Sequence, residues 1–238
     1  TYLNIFGLVE EFILPFVIDH ARADISGASE RSRALLEFAA EEAKHIDLFR
    51  RFAQAFTAGF GVSCQVIGPP AAIAQHVLSH PPLSVALLTL HVEWMTQRHF
   101  QESISGDDAL DPQFKSLLLH HWMEEHQHAQ LDTLMVRSIS ETLSAHQIVA
   151  AIGGYLALGG YLDDGLRQQT AFDLAALENA CGRLLNADER AHFLKDQHQA
   201  NRWTYIGSGM SHPRFLDTLG ELSPEQRKRI ESIAPMFC

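Results

Sequence analysis

The sequence predicts an all-α protein built as a bundle of helices, and three observations support this fold class. Apolar residues recur three and four positions apart almost throughout the chain, which is the period of a helix and not the alternation of a strand. No run of β-branched residues is bounded by hairpin-turn residues. Several segments open with helix-capping residues or prolines. Since 238 residues with 46% apolar content can bury one sizeable core, we expect residues 1–238 to form a single domain.

Helix-start signals divide the first half of the chain. The opening stretch is already helix-like, and Ser26-Gly27 precedes a second helix predicted near 30–56. Pro81-Pro82 opens the next helix, which is expected to run to about residue 103. The segment Gly68-Pro69-Pro70, between these two helices, is interpreted as the end of a loop.

Further start signals follow in the second half. Asp111-Pro112 places a capping carboxylate before a proline at the first helical position and predicts a helix to about residue 143. The apolar run 148–162 is shorter than the roughly 20 residues that span a bilayer, so it is interpreted as a buried helix. Asn186 with Glu189, and Ser223-Pro224 with Gln226, have capping-box spacing and predict additional C-terminal helices.

Composition argues against several classes of partner. The net charge is -11 and the 18 Lys and Arg residues are scattered, so nucleic acid is not an expected partner. No signal peptide or membrane-spanning run is recognisable, so no membrane partner is expected either. The three cysteines, Cys64, Cys181 and Cys238, are odd in number and far apart, which favours a reducing compartment and a cytoplasmic location.

One candidate metal motif lies on the predicted helix 30–56. Glu42 and His45 are three residues apart, so a carboxylate and an imidazole project from one helix face and can reach the same ion. An isolated pair of this kind is weak evidence, because Glu and His are common on solvated helix faces.

A second copy strengthens the interpretation. Glu125 and His128 repeat the spacing, and His121 lies one turn earlier on the same face. Leucines flank this His, Glu and His stripe on both sides, so burying it is costly unless something pairs with the polar groups. A metal ion supplies that pairing.

A bundle that holds two metal ions needs one more carboxylate from each of two further helices. Glu93 precedes Glu125 by 32 residues (125 − 93), and Glu10 precedes Glu42 by the same 32 (42 − 10). At about 100° per residue, Glu10 also falls among the apolar residues of its helix, whereas Glu11 falls on the polar side. Pro15 could kink this helix and disturb the phase, so Glu11 remains the reserve candidate.

The predicted ligands are carboxylates and imidazoles without cysteine, a set that fits iron or manganese and disfavours structural zinc. We expect two iron ions, with manganese as the alternative. The predicted metal ligands are Glu10, Glu42, His45, Glu93, His121, Glu125 and His128.

At these residues the sequence resembles the diiron oxygenases of the p-aminobenzoate (arylamine) N-oxygenase type, within the ferritin-like superfamily. The feature that carries the resemblance is the third histidine of the HxxxExxH pattern, formed by His121, Glu125 and His128. The resemblance covers roughly residues 1–145 and implies a ferritin-like helical bundle, with 146–238 as accessory helices. It also implies a non-haem diiron oxygenase that activates dioxygen to oxidise a small organic substrate, with N-oxygenation of an amine as the named precedent.

Other interpretations stay open at this stage. The same ligands could serve a ferritin-like ferroxidase, a dinuclear metal-dependent hydrolase or a structural metal site. The expected partners of the oxygenase are dioxygen, the organic substrate, an electron donor and, as an open alternative, a second copy of the chain in a homodimer. Four nearby histidines are interpreted as polar or solvent-facing residues and not as ligands, namely His91, His99, His120 and His126.

Overall fold

The computed structural model describes residues 1–22, 25 and 29–237, and the predicted start at Ser26 and Gly27 lies outside them. No strand occurs in the described part of the chain, which confirms the all-α class. The α-helices are α1 (Tyr2–Arg22), α2 (Glu30–Phe60), α3 (Pro70–Leu78), α4 (Pro82–His99), α5 (Pro112–Ser140), α6 (Ala145–Cys181), α7 (Ala187–Arg202), α8 (Ser208–Met210), α9 (Pro213–Leu222) and α10 (Pro224–Ile233). Two π-helical segments, Phe100–Ile104 and Trp203–Gly207, and a 3-10 turn, Ala234–Phe237, complete them.

The chain divides into two compact units. The first unit comprises Thr1–Ser79 and Asp164–His198. Within it, α1 packs along α2 and also contacts α3. Its core contains apolar side chains from both long helices, including Ile5, Phe38 and Phe49, each only 1% exposed. This packing brings one face of α1 against one face of α2, as expected for two amphipathic helices joined in sequence.

The second unit comprises His80–Asp163 and the chain from Gln199 onward. Helix α4 lies at its centre, since every residue from Leu83 to Gln97 is buried. Helices α5, α8 and α9 pack on α4, and α9 packs on α10. A helix that is buried on all sides has no face left for water, so any polar side chain on it must find its partner inside the protein.

Three of the predicted helix starts are confirmed by side-chain caps. The Asp111 carboxylate accepts a hydrogen bond from the Phe114 N–H at 2.9 Å. The Ser223 hydroxyl accepts one from the Gln226 N–H at 3.3 Å. Asn186 and Glu189 exchange two bonds, at 3.0 and 2.9 Å, as a reciprocal capping box does.

The helix ends differ from the prediction. Helix α2 continues to Phe60 and stops at Gly61, whose φ of 72° is the left-handed conformation that glycine adopts without steric cost. The predicted end near residue 103 falls inside the π-helical segment, and α5 ends at Ser140 instead of residue 143.

Helix α6 is longer than the apolar run that predicted it, extending over 37 residues. The prediction that 148–162 is a buried helix is wrong for one face, because Val149 and Tyr161 are each 41% exposed. A helix that buries one stripe only is amphipathic, and the glycines in the run conceal this when apolar residues are simply counted. Among the described helices, none combines the length and apolar character needed to cross a membrane.

Candidate metal centre

The first helix contributes one buried carboxylate. Glu10 is 3% exposed and lies among the apolar residues of α1, which continues as a helix through Pro15. Glu11 projects elsewhere, since its Oε1 accepts a hydrogen bond from Nη2 of Arg50 at 2.7 Å and its side chain is 24% exposed. The structure therefore buries Glu10 and places the reserve candidate Glu11 in a surface ion pair.

Helix α2 adds a carboxylate and an imidazole. Glu42 and His45 are each 1% exposed, one turn apart on the face that meets α1. Nδ1 of His45 lies 3.3 Å from Oε2 of Glu10 and 3.9 Å from Oε1 of Glu42. The first unit thus gathers two carboxylates around one imidazole, an arrangement of acceptors and a nitrogen donor that suits a cation.

Helix α4 contributes Glu93, which is 2% exposed on the fully buried helix. The side chains of Glu93 and Glu125 are hydrogen-bonded to each other. Such a bond needs one proton between two carboxyl groups, because two carboxylates have no hydrogen to share. A cation in place of that proton would hold the same two groups together.

Helix α5 carries the HxxxExxH stripe, and all three of its polar residues are buried. Nε2 of His121 lies 2.8 Å from Oε1 of Glu125, and Nδ1 of His128 lies 2.8 Å from Oε2 of the same carboxylate. Both carboxylate oxygens of Glu125 are therefore engaged by imidazoles on its own helix.

The surroundings of Glu125 decide its charge. Burial by itself raises the pKa of this carboxyl, but the charges of His121 and His128 and hydrogen bonds from Glu93 and His121 outweigh it, so the pKa lies well below the ordinary value. Glu125 is therefore ionised at neutral pH in a site from which water is excluded. An ionised carboxylate among imidazoles is the form that binds a metal ion.

Asp132 is a buried acid of α5 that the sequence analysis did not select. It lies one turn beyond His128 and is 1% exposed. Burial raises its pKa well above the ordinary value; the charge of His128 lowers the pKa, and the charge of Glu125 raises it. The signal was present in the sequence, since residue 132 continues the stripe of 121, 125 and 128 by four positions.

His91, two residues before Glu93 on α4, is hydrogen-bonded through both ring nitrogens. Its Nε2 lies 3.1 Å from the Tyr205 carbonyl, which can only accept, so Nδ1 accepts the bond from the Tyr155 hydroxyl at 2.6 Å. Burial lowers the pKa of His91 to about 4, opposed by the bond to the Tyr205 carbonyl. Of the four histidines interpreted as polar or solvent-facing, His120 and His126 are exposed, whereas His91 and His99 are buried, at 2% and 8% exposed.

The segment around Gly209 packs tightly against this histidine. A Cβ atom at Gly209 would lie 2.5 Å from the His91 carbonyl oxygen, so only glycine lets α8 approach α4 this closely. Gly209 therefore has a packing role against His91.

Taken together, the described residues contain two buried clusters of Glu and His side chains that could hold metal ions, and Glu125 belongs to both. Their members are Glu10, Glu42, His45, Glu93, His121, Glu125 and His128. These are the residues that the sequence predicted as ligands. The ions themselves, their number and their identity stay predictions.

Comparison with known proteins identifies no relative. No protein-family model, curated protein or solved structure matches the chain. The fold and the site define an all-helical protein with buried Glu and His clusters suited to metal binding. Because a helical bundle supports many functions, the activity has to be inferred from the site itself.

Proposed function

We propose that the chain is a ferritin-like non-haem diiron oxygenase that uses dioxygen to oxidise a small organic substrate. The observation that carries this proposal is the burial of four glutamates and three histidines in two clusters with the spacing of metal ligands. Burying so many ionisable groups is costly unless cations compensate them. A purely structural site does not need a ligand set of this size.

In this proposal each cluster holds one ion. Glu10, His45, His121 and Glu125 hold the first, and Glu42, Glu93, Glu125 and His128 hold the second, with Glu125 shared. The potential ligand atoms of each group lie within 4.8 Å of one another, which supports this assignment. The four carboxylates carry four negative charges when ionised, and two divalent cations would neutralise them in the protein interior.

The donor chemistry is compatible with iron. Carboxylates and imidazoles without thiolates suit iron or manganese, and structural zinc sites are built largely from cysteine. The first ion would have two imidazole ligands, and the second ion would have one imidazole ligand. The two ions would therefore differ in their environment. Iron held there would supply the electrons that dioxygen activation requires.

Side chains of the protein orient the ligands, take part in proton release and exclude water. Glu125 is already ionised in the metal-free protein and is oriented through both oxygens by His121 and His128. Metal ligation would displace the protons that these imidazoles share with Glu125 and the proton that joins Glu93 to it, so metal binding is coupled to proton release. Because these side chains are buried, bulk water is kept away from the reacting groups.

The finer substrate assignment follows from the HxxxExxH resemblance. Since arylamine N-oxygenases share the third histidine, we propose a primary amine as the substrate, with an external electron donor. Cytoplasmic location and a homodimer are consistent with this proposal and remain predictions.

The test begins with metal content. The protein as purified and after anaerobic loading with Fe(II) is analysed by elemental mass spectrometry, and dioxygen uptake by the reduced form is then measured with and without an amine panel. About two irons per chain and uptake that increases with an amine, with recovery of the N-oxygenated product, support the proposal. Iron oxidation that continues beyond the bound ions without any organic substrate would indicate a ferroxidase. Zinc, with no dioxygen uptake after iron loading, would overturn the proposal in favour of hydrolysis or a structural site.

A further inference from the structure

We propose that a cavity in the first unit, between α1, α2 and the segment that leads into α3, binds a small organic carboxylate with an apolar body. The cavity has a volume of about 370 Å³. Binding sites for small organic molecules usually have volumes of roughly 300–1,000 Å³, so a ligand of this class fits. The proposal goes beyond the proposed function and does not depend on the presence of metal ions.

The walls of the cavity are mostly apolar. They come from both long helices and from the segment before α3, and the apolar lining includes Leu3, Leu8, Phe49, Val66, Ile67 and Pro69. Leu3, Leu8 and Phe49 are at most 8% exposed, so these walls belong to the packed core. The wall before α3 is fixed by a hydrogen bond of 3.0 Å from the Ile67 N–H to Oε1 of Gln169. Such walls can bury the apolar body of a ligand.

Gly7 leaves space in the α1 wall of the cavity. A Cβ atom at this position would meet only the Cβ of Phe49, at 3.9 Å, which is an ordinary contact. The described glycines with positive φ are Gly61 and Gly182, so the backbone conformation does not require glycine at position 7 either. Glycine inside a helix is less stable than alanine. Its effect here is to keep the cavity open, because a long side chain at position 7 would occupy it.

The polar groups of the cavity determine the kind of ligand. Nη2 of Arg50 donates a hydrogen bond to Oε1 of Glu11 at 2.7 Å, and both residues line the cavity. This bond uses one of the five N–H donors of the guanidinium, and the Arg50 side chain is 61% exposed, so its other donors are accessible. A guanidinium binds a carboxylate through two parallel hydrogen bonds. Asn4 adds an amide group, which donates as well as accepts.

Charge complementarity favours a carboxylate over an amine. The charge of Glu11 is already balanced by Arg50, so an ammonium group placed beside Glu11 would lie next to the guanidinium and be repelled. A ligand carboxylate can instead bind the guanidinium nitrogens that are not bonded to Glu11. The cation then lies between two carboxylates and compensates both of them.

The experiment compares three probes that share one apolar body, namely phenylacetate, phenylacetamide and phenethylamine. Their affinities for the full chain are measured at pH 7 by isothermal titration calorimetry. We expect phenylacetate to bind with a Kd of about 1 mM or below. The uncharged amide and the amine should bind at least about tenfold more weakly, because neither offers a carboxylate to Arg50.

Arg50→Gln tests the polar contact. It should weaken phenylacetate binding by about 10- to 100-fold and leave phenylacetamide binding unchanged, because it removes the charged donor. Arg51→Gln is the matched control, since Arg51 is the next residue of α2, is 74% exposed and pairs with Asp47. This control should bind all three probes as the wild type does.

Gly7→Leu tests the location by filling the cavity, and it should abolish phenylacetate binding. Gly59→Leu makes the same change at an exposed position of α2, where a Cβ atom meets nothing within 4 Å in the described structure, and it should bind normally. The amide NMR signals of Gly7 and Gly68 provide a second measurement of location in the wild type. Both lie in the wall of the cavity and should shift when phenylacetate is added.

Three results would overturn the proposal. Absence of saturable binding by all three probes would show that the cavity is not a ligand site. Tighter binding of phenethylamine or phenylacetamide than of phenylacetate would contradict the carboxylate class. Equal phenylacetate affinity in the wild type and Arg50→Gln would place the binding elsewhere, and if Gly7→Leu does not fold, unchanged Gly7 and Gly68 signals in the wild type would do the same.

Discussion

Nδ1 of His128 lies 2.8 Å from Oε2 of Glu125, one turn earlier on α5. The other oxygen of the same carboxylate lies 2.8 Å from Nε2 of His121. Glu125 is thus contacted by imidazoles from both directions along one helix, and it is the residue common to the two clusters. Its removal should therefore affect both proposed metal sites.

We expect Glu125→Ala to abolish metal binding. The variant removes the one residue that belongs to both clusters, so the metal content measured by elemental analysis should fall from about two ions per chain to near zero. Glu11→Ala is the matched control, because Glu11 is a neighbouring glutamate of α1 that pairs with Arg50 at the surface. Retention of two ions by Glu125→Ala, or their loss in Glu11→Ala, would contradict the assignment.

Tyr155→Phe should destabilise the metal-free protein by about 1–3 kcal/mol, because it leaves Nδ1 of buried His91 without its donor. The measurement is the free energy of unfolding in urea. Tyr161→Phe removes the same hydroxyl from a side chain that is 41% exposed, and its effect should stay within about 0.5 kcal/mol. Equal effects of the two variants would argue against a specific role for the Tyr155 hydroxyl.

Two glycine-to-alanine substitutions should change the stability of the protein in opposite directions. Gly209→Ala places a Cβ atom 2.5 Å from the His91 carbonyl oxygen, so we expect a loss of about 1–3 kcal/mol as the backbone shifts to relieve the overlap. Gly160→Ala, within α6, meets nothing within 4 Å in the described structure and should gain about 0.5–1 kcal/mol through helix propensity. Thermal midpoints of both variants, measured side by side, check the prediction. A neutral Gly209→Ala would show that α8 does not pack on α4 as described.

Acid should destabilise the metal-free protein partly through His212. Burial, and then the charges of Arg98 and Arg214, lower its pKa from 6.5 to about 4, so the unfolded chain binds the proton more readily between those values. The free energy of unfolding therefore falls as the pH is lowered from 6.5 to 4. Above pH 6.5 the contribution of neutral His212 to stability is fully present.

His212→Asn tests this contribution. Asparagine can still cap α9, where Nδ1 of His212 now accepts from the Arg214 N–H, but it does not titrate and loses the stacking on Trp94. We expect a lower stability at neutral pH and a smaller loss on acidification, measured by urea unfolding at pH 7, 5.5 and 4. His91 and His99 have similarly lowered pKa values of about 4 and remain in the variant, so the difference isolates His212. An identical pH dependence in both proteins would contradict the prediction.

Helix starts were predictable because their causes are local. Asp111 caps the N–H of Phe114 three residues away, and Ser223 does the same for Gln226. Helix ends were less predictable, since α2 continues past residue 56 until Gly61 ends it, and α4 changes to a π-helix at Phe100. The end of a helix depends on how far along the chain tertiary packing continues to stabilise it, and that information is not in the neighbouring residues.

The candidate site was predictable in its residues and not in its surroundings. The spacing of Glu42 with His45, and of His121, Glu125 and His128, puts these groups on common helix faces whatever the rest of the chain does. Asp132 continues the second stripe. Before its burial is known, an aspartate at this position can equally be interpreted as a solvent-facing residue or as part of the site.

By itself, the sequence determined the helical class, the positions of several helix starts and the faces on which the Glu and His residues lie, because capping and helical period act over a few residues. Tertiary structure decided what those faces meet. It buried Glu10 and left Glu11 with Arg50, 39 residues away, and it placed His91 between the hydroxyl of Tyr155 and the carbonyl of Tyr205. It also buried both carboxylate oxygens of Asp132, with no hydrogen-bond donor to them among the described residues. These outcomes depend on contacts between residues far apart in the chain, which no local pattern specifies.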